Sequence, residues 1–281
     1  MSLLKKRTDL RKPRTQKSNA AYKTAVDNFR TTLDSMYAVS IAAAGRNAGE
    51  KRAWASALFT RLCALSTSVN RLLPEISDDA DESDHWDFSA IASLTRAVLE
   101  CHLMFFYLGV EETSEEERRD RINLIHLHDC TARISLFRNL FGDEKQAVGF
   151  EVQREELRAR FDNSAMMATK TEKQKAHLLR GDKVMLVIQD EVLNSMGMNV
   201  VEFRSWYEVL SSHLHSFPLA FHRMLTDGFG NGVENNREKD WTTATLRYLQ
   251  SFLSKAVTQM LGLFPDIPDP RMRAIAALQK A

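Results

Sequence analysis

The sequence predicts an all-α protein, a multi-helix bundle. Apolar residues recur at intervals of three and four through most of the 281 residues, the signature of helices that bury one face. Only six prolines and eleven glycines are present, and they gather where those periodic stretches stop. Side chains suited to capping stand just ahead of the stretches, as in Asn47 with Glu50, Ser114 with Glu117 and Asn199 with Glu202. A sandwich or barrel would need many more turn residues. The apolar share of 44% and charged share of 27% fit a folded globular chain.

In chain order, the spacing predicts a first helix from Ser18 or Asn19 along Tyr22, Val26, Phe29, Leu33 and Tyr37. A second runs from the Asn47/Glu50 box along Trp54, Leu58, Leu62, Leu65, Val69 and Leu72 to Pro74. Residues 75–87 carry seven acidic side chains, repel one another and read as a solvated loop. The third helix, 88–109, is apolar almost all round and belongs at the centre of the bundle. A fourth follows the Ser114/Glu117 cap to Phe141, where Gly142 ends it, and a fifth runs from Asp143 to about Phe161.

The polar segment 162–176 reads as a mobile loop. Two shorter helices follow, one ending at Gly181 and one from Asp182 to Asn194. The Asn199/Glu202 box opens the helix that carries Tyr207. Gly228, Gly230 and Gly232 then break the chain, a long helix spans 237–263, and a short helix ends the tail. The expected organisation is a basic arm at 1–17, one helical-bundle domain at 18–264 and a C-terminal tail at 265–281.

The most specific local pattern is YEVLSSHLHSFP, Tyr207 to Pro218. Tyr207, Ser211 and His215 lie four apart, so a phenol, a hydroxyl and an imidazole stack along one helix face. Pro218 follows, and its missing N–H leaves the carbonyl of Leu214 without a helical partner. On the third helix Arg96 and Glu100 are also four apart. A charged pair on so apolar a helix must find partners or reach solvent. Facing each other, the two sets would make a polar network that fixes helix register, binds a ligand, or does chemistry.

Other chemistries find less support. His126/His128 and His213/His215 each point about 200° apart around a helix, so neither pair grips one metal ion. No His-Glu-x-x-His is present, and GFGNG at 228–232 lacks the Lys-Ser/Thr of a phosphate loop. No metal and no cofactor is expected. Cys63, Cys101 and Cys130 fall singly in three helices and form no disulfide framework.

The pairing of Arg-x-x-x-Glu in SLTRAVLECHLMFFYL with Tyr-x-x-x-Ser-x-x-x-His in YEVLSSHLH resembles an all-helical bacterial family of unknown function. That family is similar to HEPN domains (higher eukaryotes and prokaryotes nucleotide-binding). The likeness covers roughly residues 20–225 and implies a HEPN-like core with additional helices. It further implies a protein that binds, or cleaves, RNA or a nucleotide in a bacterial stress or defence system. If an enzyme, it would be a metal-independent ribonuclease, with His215 as general base and Arg96 stabilising the phosphorane. Glu100, Tyr207 and Ser211 would then be ligand-binding residues. HEPN-type ribonucleases carry an Arg and a later His with four to six residues between them, and Arg96/His102, Arg119/His126, Arg121/His126 and Arg121/His128 offer such spacings.

The alternative is a non-catalytic protein-interaction or regulatory module. Seven basic residues against Asp9 give residues 1–20 a net charge of +6, so a chain of net +1 carries −5 elsewhere. Such an arm can engage RNA or an acidic protein partner, or simply be a solvated terminus, and a homodimer is compatible with either. The N-terminus has charges but no apolar leader, and no run approaches 18 apolar residues. The sequence therefore reads as cytoplasmic, with no membrane partner.

Overall fold

A computed structural model describes residues 16–46, 49–76, 85–227 and 230–272. The described residues are helical nearly throughout and contain no sheet; their one β-bridge joins Trp86 and Gly232. The all-α expectation is met. Asn47, most of the basic arm, residues 77–84 of the acidic stretch, Gly228 and the end of the tail lie outside the described residues. Within the span read from sequence as one bundle, the chain gathers into two compact units. One unit comprises residues up to Val110 together with those from Gly197 onward, and the other runs from Glu111 to Met196.

The first unit holds α1 (Gln16–Ala43), α2 (Gly49–Arg71), α3 (Phe88–Phe105), α9 (Val200–Leu214), α10 (Pro218–Asp227) and α11 (Asn236–Leu263). The helix α3 starts where the Asp87 carboxylate accepts the N–H of Ala90 at 3.0 Å. Its Ile91, Val98, Leu99 and Leu103 are buried as it packs against α2, α9 and α11. By length and composition Phe88–Val110 is long and apolar enough to cross a membrane, more so than the sequence reading allowed. Its burial against three helices accounts for that composition. The helix widens into a π turn at Phe106–Val110, where Gly109 lies so close to α2 that a Cβ on it would meet the Cα of Ala55 at 2.7 Å. The companion helix α11 buries Leu249, Phe252, Leu253, Ala256 and Val257 without exposure, each large side chain adding about 1.5–3 kcal/mol of apolar burial.

The second unit holds α4 (Glu115–Ser135), α5 (Glu144–Asp162), α6 (Ala165–Ala168), α7 (Glu172–Leu179) and α8 (Gln189–Ser195). Ser114 caps α4 through the N–H of Glu117 at 3.1 Å, and a π turn carries the chain on to Phe141. Gly142, in the left-handed region at φ 66°, ends it as expected. Leu124, Leu127, Leu157, Phe161, Met167 and Leu178 form its core.

Two expectations need correction. The segment 162–176 is not a loop: Ser164 caps α6, and Thr171 with Gln174 makes a full capping box for α7. Burial of Met167 in the core anchors the first of these helices. Conversely, the helix expected from Asp182 forms only at Gln189, because Val184–Val187 lies half-buried against its own unit in irregular backbone, with Ile188 exposed. Its apolar side chains are spent on one-sided contact rather than on a helical face.

Candidate polar site between α3 and α9

The five residues singled out on the two helices share one interhelical seam inside the first unit. Arg96 donates through Nη2 to the Tyr207 hydroxyl at 2.8 Å and to Glu100 Oε1 at 3.1 Å. The hydroxyl in turn donates to Glu100 Oε1 at 2.6 Å. Through Nη1, Arg96 donates to His215 Nε2 at 3.2 Å. A guanidinium offers only donors, so this imidazole nitrogen is the unprotonated one. The Arg96 Cζ also sits 4.6 Å from the centre of the Tyr207 ring, within cation–π range. Ser211 lies on the same face, but its hydroxyl donates to the Tyr207 carbonyl and joins none of the other four side chains.

Burial is graded across this cluster. The Arg96 side chain is 16% exposed and that of Glu100 47%, while His215 stands in solvent. Burial lowers the affinity of Arg96 for its proton, but the Tyr207 hydrogen bond and the Glu100 charge more than offset this, and its pKa rises. Burial and the bond to Glu100 raise the Tyr207 pKa against the opposing pull of Arg96, so the phenol remains protonated at neutral pH. The cluster joins a guanidinium, a carboxyl group, a phenol and an imidazole, and it is open at the imidazole end.

The backbone fixes that open end. The helix stops at Leu214, four residues before Pro218. His215 is the C-cap, the Phe217 N–H reaches back to the Ser212 carbonyl at 2.9 Å and the Ser216 N–H to the His213 carbonyl at 3.4 Å. This is a Schellman ending, in which the residue after the cap takes left-handed backbone. That residue is Ser216 at φ 50°, where glycine is the usual choice and a side chain is strained. Pro218 opens α10 instead, at a position where its missing N–H costs nothing.

The remaining histidines have other tasks. His213 is buried, its Nδ1 paired with Ser89 Oγ at 2.9 Å and its ring edge-on to Phe88; burial pulls its pKa down to about 4. His102 is wholly buried, bonded to Gln259 at 2.8 Å, with its pKa pulled down to about 4 by burial. The Arg96/His102 spacing therefore does not form a site. Arg121 is buried between Glu111 and Glu117, and His128 bonds the Gly181 carbonyl at 3.0 Å, so Arg121/His128 is not one either. Burial pushes the thiols of Cys63 and Cys101 up to about 11, which leaves no thiolate there at neutral pH.

A second polar cluster was not foreseen. Glu238 is wholly buried on α11, accepting the N–H of Phe88 at 3.2 Å and of Gly230 at 2.5 Å. Burial pushes its pKa up to about 7. Beside it Lys239, 1% exposed, donates to Glu234 at 3.0 Å and Asn19 at 2.6 Å. The signal was present in sequence as Asn235 three residues before Glu238: the Asn235 side chain does cap α11 through the Glu238 N–H. These residues tie the start of α3 to the start of α11.

A family described only as a family of unknown function (DUF5677) matches residues 52–232, more than half of the chain. The matched span contains both helices of the seam. No curated protein and no solved structure matches the chain.

Proposed function

The chain belongs to the DUF5677 family, and we propose that it binds RNA or a nucleotide at Arg96 and His215, and cleaves RNA there without a metal. The observation that carries this reading is the 3.2 Å contact between a guanidinium on α3 and an unprotonated imidazole nitrogen at the solvent-facing end of α9. A phosphate entering at that end takes the Arg96 Nη1 donor. The freed His215 Nε2 is then the acceptor for a neighbouring 2′-hydroxyl proton. The 2′-oxygen attacks phosphorus, the 5′-oxygen leaves as an alcohol with a proton from solvent, and a 2′,3′-cyclic phosphate results. Arg96 neutralises the charge that grows on the phosphoryl oxygens, and Glu100 and Tyr207 hold it at the correct angle. This agrees with the HEPN likeness, and the +6 charge of residues 1–20 supplies long-range attraction for a polyanion.

The test is a fluorogenic RNA assay in EDTA with product analysis. Wild-type protein should leave 2′,3′-cyclic phosphate ends. His215→Ala should lose about 10²–10⁴-fold in rate, the usual worth of a general base, with little change in melting temperature. Wild-type protein that neither binds nor cleaves RNA removes this reading.

A second reading is favoured by one observation: Glu100 and Tyr207 already occupy Arg96 Nη2. With that donor taken, the network would only hold α3 against α9, in a non-catalytic protein-interaction or regulatory module that engages a partner through the 1–17 arm. His215→Ala and Arg96→Ala would then lower stability alone.

A further inference from the structure

Beside His215 the chain exposes apolar side chains that its own fold does not use. Phe217 is 53% exposed, and Leu214, Leu219 and Phe221 are each more than 40% exposed. Four large apolar residues within eight positions of a tight turn are not scattered surface.

Phe217 is the informative one. In a Schellman ending the second residue past the cap ordinarily packs its apolar side chain on the residue three before the cap. Here that residue is Ser212, which is buried and donates its hydroxyl to the Glu208 carbonyl, so the usual seat offers Phe217 no apolar partner. Its ring instead lies 5.3 Å from the His215 ring, inclined by 30°. The left-handed Ser216 sets that direction. A strained residue therefore presents a phenyl face to solvent next to an imidazole that contacts a guanidinium.

We propose that Phe217 is a stacking platform for an unpaired nucleobase whose phosphate lies on Arg96 and His215. The ligand class is single-stranded RNA, in preference to a duplex or a free phosphate. This rests on the phosphate-binding reading above and adds the base to it. Aromatic faces beside cationic groups hold single strands through stacking, which tolerates any base. Paired bases cannot offer their faces to a side chain, so a duplex loses this contact.

The experiment titrates a fluorescein-labelled single-stranded oligouridine RNA, its duplex with oligoadenine RNA, and inorganic phosphate as competitor. It uses the full chain and the variants Phe217→Ala, Phe217→Leu, Phe217→Trp and Arg96→Ala. Single-strand affinity should fall about tenfold in Phe217→Ala and Phe217→Leu, the low end of the loss of one stacked base, and persist in Phe217→Trp. The inhibition constant of phosphate should be unchanged in all three, and Arg96→Ala should lose the RNA. Phe217→Ala and Phe217→Leu binding RNA as tightly as wild type, while Arg96→Ala loses it, would discard the platform and leave the phosphate site standing. Absence of RNA binding by wild-type protein would remove both. Equal affinity for duplex and single strand would overturn the proposed ligand class.

Discussion

Arg96 and Tyr207 meet twice, guanidinium over ring at 4.6 Å and Nη2 to hydroxyl at 2.8 Å. Tyr207→Phe separates the two contacts. The ring stays and the hydroxyl bridge to Glu100 goes, which costs about 1 kcal/mol for a half-exposed hydrogen bond. Calorimetry should show a fall of a few degrees in melting temperature for Tyr207→Phe, and a larger one for Tyr207→Ala. Two variants as stable as wild type would mean the bridge is absent in solution.

Lys239 is paired with Glu234 where neither side chain reaches much water. Lys239→Ala takes the ammonium from a buried carboxylate and should destabilise by roughly 3–5 kcal/mol, whereas Lys239→Met combined with Glu234→Leu removes both charges and should cost less. Urea denaturation of the two variants is the check. A midpoint in Lys239→Ala equal to wild type would be incompatible with a buried pair.

Glu238 has its folded pKa raised from the ordinary 4.5 to about 7. A raised acid pKa means the folded protein holds the proton more tightly than the unfolded chain. Its contribution to stability is therefore fullest below pH 4.5 and is lost as pH rises through about 7. The stability of wild type relative to Glu238→Gln should decline by roughly 2–3 kcal/mol between pH 5 and 8. A difference that stays flat across that range would place the carboxylate in water.

At Gly109 an added Cβ would lie 2.6 Å from the Ala55 Cβ and 2.7 Å from its Cα. Gly109→Ala must push backbone apart and should cost about 1–3 kcal/mol. Adding Ala55→Gly should recover part of this, since only one of the two clashes disappears. Thermal melts of the single and double variants decide it; a harmless Gly109→Ala would show that the close approach is not real.

Much of this molecule was legible in advance because a helix fixes which residues share a face. Spacings of four put Arg96 with Glu100 and Tyr207 with His215 before any tertiary contact was known. The apolar girth of 88–109 placed that helix inside. What spacing cannot state is what covers a charged residue. Glu238 and Lys239 read as an ordinary wet first turn of a helix, and they are buried by Asn19, Phe88, Gly230 and Glu234 from elsewhere in the chain. Segment 162–176 was misread because its polar, lysine-bearing composition outweighed two single-residue caps at Ser164 and Thr171. The run 184–188 was misread because apolar residues packed on one side in irregular backbone mimic helical spacing.

The wide separation of partners in the seam has a consequence for synthesis. His215 follows Arg96 by 119 positions, and at about 5–20 residues per second a ribosome takes on the order of 6 to 24 seconds to deliver the second after the first. Through that interval α3 exists without α9 or α11 to cover it, while residues 111–196 are made and collapse on their own core. A chain stalled there would carry α3 covered by α2 alone, an apolar helix face open to chaperones and to degradation.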